Sequence, residues 1–225
     1  MKHVAFSILI VFLFCSFNSS PTNSYEGMIR FSVKISGKEA TKVSGMMPTS
    51  YTIWIKGNNS LIKTEGGISM MTGDLLFLGA QQKSYLINHG QKTVFSLEST
   101  SSAPQENITI EKTAEKKMIL GYNCLKYVLK EKEGSATQTY TIWATKDLAL
   151  PKASNSTGIG FGSFSFQGVE GLPLQVLTNM GDMSMEIMAM QVEKKSLPET
   201  HFQLPANYAV KVFDPAAMGG VLTQR

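Results

Sequence analysis

The chain has 225 residues, 43% of them apolar, a mean hydropathy of −0.03 and a formal charge of +4, enough for one ordinary core. Nineteen glycines and eight prolines keep it out of the collagen-like and low-complexity classes. Its basic residues are scattered, which excludes a nucleic-acid surface.

The N-terminus reads Met1-Lys2-His3, an apolar run over 4–15, then a Ser/Asn/Pro stretch to Ser24. A basic start, a dozen apolar residues and a polar exit are the pattern of a secretory signal, assigned here to 1–20. The run falls short of the roughly 20 apolar residues that span a membrane, and no later stretch replaces it. The expectation is an exported protein of the periplasm or cell envelope with no transmembrane span. Cys15 follows the apolar run and is a candidate for acylation, which would give a lipid anchor. Phe14 stands where lipoprotein signals place a small residue, so the alternative is that Cys15 leaves with the signal. Loss of Lys2 would leave 20 basic against 17 acidic side chains, a charge of +3. Without a thiol at Cys15, Cys124 has no partner for an internal disulfide, and stability rests on the core.

The segment from Tyr25 alternates: Gly27, Ile29, Phe31, Val33 and Ile35 fall on one face, Glu26, Arg30, Ser32 and Lys34 on the other. Period two predicts a half-buried strand. Further strands are expected over 51–56, 74–78, 83–88, 92–97 and 108–112, with a turn near Ala114-Glu115-Lys116. Four more follow at 118–130, 137–145, 172–178 and 182–193. Turn formers lie between them at 56–59, 65–67, 88–90 and 131–134. Short strands joined by short turns describe a meander of antiparallel hairpins that curls or closes. One helical turn is expected at 198–202, where Pro198 precedes Glu199.

Within 182–193 the apolar phase flips. Met183, Met185 and Ile187 give way to Met188, Met190 and Val192, as a β-bulge would require, and bulges bend strands. The stretch 154–168 is rich in Gly and Ser yet carries Phe161, Phe164 and Phe166, so it reads as a loop covering something apolar. The fold class is therefore mostly β: one strongly curved antiparallel sheet with few short helices. A single domain occupies 21–213, and 214–225 is a loose tail.

Three blocks carry a resemblance to a known family: Tyr51-Thr-Ile-Trp-Ile-Lys-Gly57; Gly121-Tyr-Asn-Cys-Leu-Lys-Tyr-Val128 followed by Ile142-Trp-Ala-Thr-Lys-Asp-Leu148; and Ser196-Leu-Pro-Glu-Thr-His-Phe-Gln-Leu-Pro-Ala-Asn-Tyr208. Together they resemble the exported domain-of-unknown-function family numbered 4412, which is common in Bacteroidota and similar in fold to LolA/LolB-type lipoprotein carriers. The resemblance runs from about Tyr25 to about Tyr208. It implies a half-open, curved antiparallel sheet around an apolar cavity, and it assigns no catalytic residue. The helices that plug the cavity in such carriers have no counterpart here.

Chemistry-bearing residues are sparse. His89 lies in an Asn-His-Gly turn and His201 in the short helical turn, and both read as solvated polar residues. A structural zinc site needs about four close ligands, and no such cluster is present. Cys124 lies in a strand, where a buried inert thiol is the expectation over an activated one. No nucleophile elbow or P-loop appears, and Gly158-x-Gly160-x-Gly162 lacks a following helix. No catalytic residue, metal or cofactor is assigned, and the chain is expected not to be an enzyme.

Thirteen methionines stand out, with Met46-Met47, Met70-Met71 and four in 183–190. They suit three roles: a flexible lining for an apolar cavity, a filled core, or thioether ligands for Cu(I). Trp54 and Trp143 each end a Tyr-Thr-Ile-Trp tetrapeptide and fall on the face opposite Tyr51, Ile53, Tyr140 and Ile142. The leading expectation is a lipid or other apolar ligand in the concavity, lined by Phe31, Val33, Tyr51 and Ile53 on one side. Tyr140, Ile142, Met185 and Ile187 would line the other, with Phe161, Phe164 and Phe166 as a lid. The alternative is a structural protein with a filled core that meets an envelope partner through its outer face.

Overall fold

The computed structural model describes residues 25–67, 73–97, 108–134, 136–148 and 168–213. The signal region, Cys15, Met70-Met71, the Phe161/Phe164/Phe166 loop and the 214–225 tail lie outside the described residues.

In chain order the elements are β1 (Gly27–Gly37), α1 (Ala40–Val43), β2 (Ser50–Lys56), β3 (Asn59–Glu65), β4 (Asp74–Leu78), β5 (Lys83–Asn88) and β6 (Thr93–Leu97). Then come β7 (Ile108–Ile119), β8 (Tyr122–Glu133), β9 (Ala136–Thr145), β10 (Leu172–Met180), β11 (Met183–Lys194), a 3-10 turn (Glu199–Phe202) and β12 (Ala209–Val212). All twelve strands form one curved, unclosed sheet in the order β12-β6-β5-β4-β3-β2-β1-β11-β10-β9-β8-β7. Hairpins build each half, and β11 returns antiparallel beside β1 to join them. Only β12 runs parallel to its neighbour, β6.

The expected bulge in the last long strand is present, displaced by two residues. Phe31 pairs with Ala189 and Arg30 with Gln191, so Met190 is the extra residue. Met185, Ile187 and Ala189 therefore stay on one buried face, while Met190 is 58% exposed. Leu174 is inserted in the same way in β10, opposite β9. Such insertions raise local twist and bend the sheet.

The strand and turn boundaries depart from the sequence reading in three places, and α1 and β12 have no expected counterpart. The turn expected at 114–116 is a bulge inside β7, because Lys112 pairs with Tyr127 and Lys116 with Leu125. The true turn is Leu120-Gly121, both at positive φ (50° and 83°), the geometry of a two-residue hairpin. Leucine is a rare occupant of that region, which is why the turn was not marked. Strand β3 has no alternation in the sequence, because Leu61 and Ile62 are adjacent and face opposite sides. Both faces of this half are covered, so alternation disappears.

One face carries the larger core, in which Ile29, Phe31, Ile53, Tyr127, Ile142 and Leu172 are at most 1% exposed. A second cluster lies on the opposite face of β2–β6, where Leu61, Leu76, Tyr85, Ile87 and Val94 meet Leu197 and Phe202. Those last two belong to the 195–208 segment, which crosses this face as a strap between β11 and β12.

Candidate functional sites on the two faces of the sheet

The sheet brings eight of the expected lining residues together. Phe31, Tyr51, Ile53, Ile142, Met185 and Ile187 are buried in one cluster, and Val33 and Tyr140 pack against it half-buried. Register explains the grouping: Phe31 pairs with Tyr51, Val33 with Ile187, Ile142 with Val176 and Val176 with Ile187. Burial is graded along the strands. Ile29 and Phe31 are buried, whereas Val33 and Ile35, further along β1, are partly open. Partly buried Tyr140, Ile108, Ile110 and Met47 join them. Tyr51 is 1% exposed, and burial raises the pKa of its hydroxyl well above the usual tyrosine range.

Cys124 is 1% exposed, and burial pushes its thiol up to about 11, so little thiolate forms at neutral pH. The methionine run of β11 is divided: Met185 enters the core, while Met188 and Met190 belong to the part of the strand facing away or bulged out. The run therefore presents no single stripe of sulfur.

Trp143, half-buried against the larger cluster, sits beneath two ammonium groups, Lys117 Nζ at 4.9 Å and Lys126 Nζ at 5.9 Å from the ring centroid. Lys126 also reaches Glu115 at 2.7 Å, and Lys117 bonds the buried side chain of Gln175, so the ring lies under a partly buried polar network. Trp54, in the equivalent tetrapeptide, is covered by the strap, with the His201 ring edge-on at 6.4 Å.

The strap is pinned at its start by a compact charged group. The Leu197 N–H donates to Glu26 Oε1 at 2.7 Å, and Lys56 donates to the Leu197 carbonyl at 2.5 Å. Lys56 also pairs with Glu199 at 2.9 Å and Glu26 at 3.5 Å. The Leu197 N–H, and then Lys56, hold the Glu26 carboxyl below its ordinary value.

Beneath the strap is a cavity of about 230 Å³. Its apolar wall is Trp54, Leu61, Ile87 and Pro205; its polar rim is Lys63, Asp74, His89, Thr200, His201 and Gln203. The two histidines read as separate solvated loop residues thus converge on one pocket. Their imidazoles remain exposed, as expected, but they are not idle. His89 Nε2 lies 3.0 Å from Asp74 Oδ2, and its Nδ1 lies 3.0 Å from the Tyr208 hydroxyl. Lys63 reaches the same Asp74 oxygen at 3.4 Å and stands 5.7 Å above the Trp54 ring. No sequence signal links these groups, because pairing of β3 with β4 and the return of the strap assemble them. Among the described residues, no group of three or more His, Cys, Asp or Glu side chains is placed to hold a metal ion.

These features define a class: an open, curved, mostly antiparallel sheet with an apolar cluster on each face, one of them covered by a strap. The chain belongs to the family described as Domain of unknown function (DUF4412), whose model matches residues 41–208. No curated protein matches it. Among solved structures it is similar to PNGF-II, with a TM-score of 0.53 at 17% identity over 88% of this chain and 34% of that one. A second crystal form of PNGF-II gives 0.52 at 16% identity. The chain thus spans about a third of the length of PNGF-II, and the likeness is one of fold. Mycobacterium tuberculosis lipoprotein LppX aligns over 76% of this chain and 89% of its own at 12% identity, with a TM-score of 0.34. Among the described residues no helix is long and apolar enough to cross a membrane.

Proposed function

We propose that this protein is a non-enzymatic binding module of the exporting cell's envelope that takes an apolar ligand, a lipid chain or a molecule of similar character, into the concavity of its sheet. The observation that carries the reading is the burial gradient. Deep positions such as Ile53 and Ile142 are fully covered, while Val33, Ile35, Tyr140, Ile108 and Ile110 leave apolar surface partly open at one end of the strands. Half-exposed apolar side chains grouped in this way are the usual signature of a surface that something covers. Met185 within the cluster adds a side chain that repacks around varied shapes. Cys124 is too buried to act as a nucleophile, and both ring nitrogens of His89 are engaged by Asp74 and Tyr208, which supports binding over catalysis.

The test is uptake of a fluorescent fatty acid by the delipidated protein, with mass spectrometry of solvent extracts of the material as purified. Saturable binding near about 1 μM is expected, a free energy of about −8 kcal/mol. Val33→Asp and Tyr140→Asp should each weaken it about tenfold with unchanged circular dichroism. A delipidated protein that takes up no probe ends this reading. That outcome favours a filled core and a role as an envelope interaction protein, which the 0% exposure of Ile29, Ile53 and Ile142 supports.

A further inference from the structure

The pocket beneath the strap has a chemistry of its own, unlike that of the larger cluster and independent of the interior reading. Drug-sized ligands occupy pockets of about 300–1,000 Å³, so a cavity of about 230 Å³ holds something smaller, on the scale of a single ring. Six of the ten lining side chains are polar and stand at the solvent-facing rim above the apolar wall, so an occupant with one apolar face and hydrogen-bonding groups on the other uses both parts of the lining. A cation would meet Lys63, and an anion would meet Asp74, and these two already neutralise each other at 3.4 Å. What remains is a neutral molecule with one flat apolar face and several groups that both donate and accept hydrogen bonds.

The rim offers that complement. Both contacts of the Asp74 carboxylate fall on Oδ2, so among the described residues Oδ1 is left to accept. The Thr200 hydroxyl, the Gln203 amide and the His201 ring make no side-chain hydrogen bond among the described residues, and each can both donate and accept. Trp54 lines the pocket between the His201 ring, edge-on at 6.4 Å, and Lys63 Nζ, 5.7 Å from its centroid, and the part of the indole that faces the pocket suits the C–H face of a saturated ring. The His89 bridge between Asp74 and Tyr208 orients the acid and ties the pocket to the end of the strap.

We propose that the pocket formed by Trp54, Asp74, His201 and Gln203 binds a neutral polyhydroxylated ring, a glycosyl residue, either as a free sugar or as the end of a glycan.

The chain has two tryptophans, so a full-length Trp143→Phe protein reports on Trp54 alone. It is titrated with the methyl glycosides of common neutral hexoses and N-acetylhexosamines. At least one should change Trp54 emission saturably, with half-saturation on the order of 1 mM. Asp74→Asn and the surface change Gln203→Ala should each weaken that binding about tenfold. Tyr140→Asp, beside the larger cluster, should leave it unchanged, which separates this site from the interior one. A disaccharide that binds more tightly than its methyl glycoside identifies a glycan end as the source, and equal affinity identifies the free sugar. No saturable response across the panel by a protein with native circular dichroism overturns the proposal. So does inorganic phosphate binding as tightly as the best glycoside.

Discussion

His89 Nδ1 lies 3.0 Å from the hydroxyl of Tyr208, a residue 119 positions later, at the point where the strap becomes the edge strand β12. The rings also meet edge to face at 5.7 Å. One turn residue of the β5–β6 hairpin thereby anchors the last element of the described fold. A neutral hydrogen bond of this kind is worth about 1 kcal/mol net, and an aromatic pair about as much again. Tyr208→Phe should cost about 1 kcal/mol and His89→Ala somewhat more, with a coupling of about 0.5–1 kcal/mol in the double-mutant cycle. Hydrogen exchange at Ala209 and Val210 is the local readout. Unchanged protection there in both variants would show that β12 is held by its ladder to β6 alone.

The strap also serves the core. Leu197 and Phe202 are 3% and 4% exposed over Leu61, Leu76, Ile87 and Val94. Phe202→Ala should cost about 3–5 kcal/mol and Leu197→Ala about 2–5 kcal/mol in urea unfolding, the usual range for emptied core positions. Partial detachment would expose the second cluster, so both variants should bind an apolar dye more strongly than the parent.

How much of this was legible beforehand depended on which faces are covered. Strand β1 was plain because Ile29 and Phe31 are buried while Arg30 and Lys34 meet solvent, so alternation survives. The same signal grouped Tyr51, Ile53, Tyr140 and Ile142 on one face. Strands β4 and β5 were legible as short apolar runs at 74–78 and 83–88, although burial on both sides removes alternation there, since Leu76 and Phe77 are adjacent and both buried; β3, with a single adjacent pair Leu61-Ile62, had neither signal. The strap was visible only as one helical turn, since Leu197, Phe202, Leu204 and Tyr208 follow no period. Its pocket was invisible, because Asp74, His89 and His201 come together through register and crossover, which composition does not encode.

Acid stability has a specific contributor. Lys146 and Lys112 both bond the Glu170 carboxylate, Lys112 at 3.0 Å, and hold its pKa down to about 2 from 4.5. A carboxyl whose folded pKa is depressed stabilises the fold above its unfolded value, and that contribution is lost as pH falls through the folded one. The window is therefore from 4.5 down to about 2. The side chain is half exposed and salt screens it. Glu170→Gln should flatten the fall in urea midpoint across this window and leave neutral pH little changed. A side-chain carboxyl titration by NMR with an unshifted midpoint would refute the assignment.

The methionines of β11 provide a contrast within one strand. Met185 is 7% exposed in the larger cluster, while Met190 is 58% exposed at the bulge. Met185→Ala removes packed atoms and should cost about 2–5 kcal/mol, whereas Met190→Ala should stay within about 0.5 kcal/mol. If the run acted as one sulfur stripe, as a Cu(I) site would need, loss of either residue would lower Cu(I) uptake alike. The division between faces predicts no shared effect: Met190→Leu should leave stability and any Cu(I) response unchanged. Fatty-acid uptake should respond to Met185→Leu and not to Met190→Leu, because only residue 185 faces the proposed ligand. Equal sensitivity at both positions would place the bulge, and not the larger cluster, at the centre of binding.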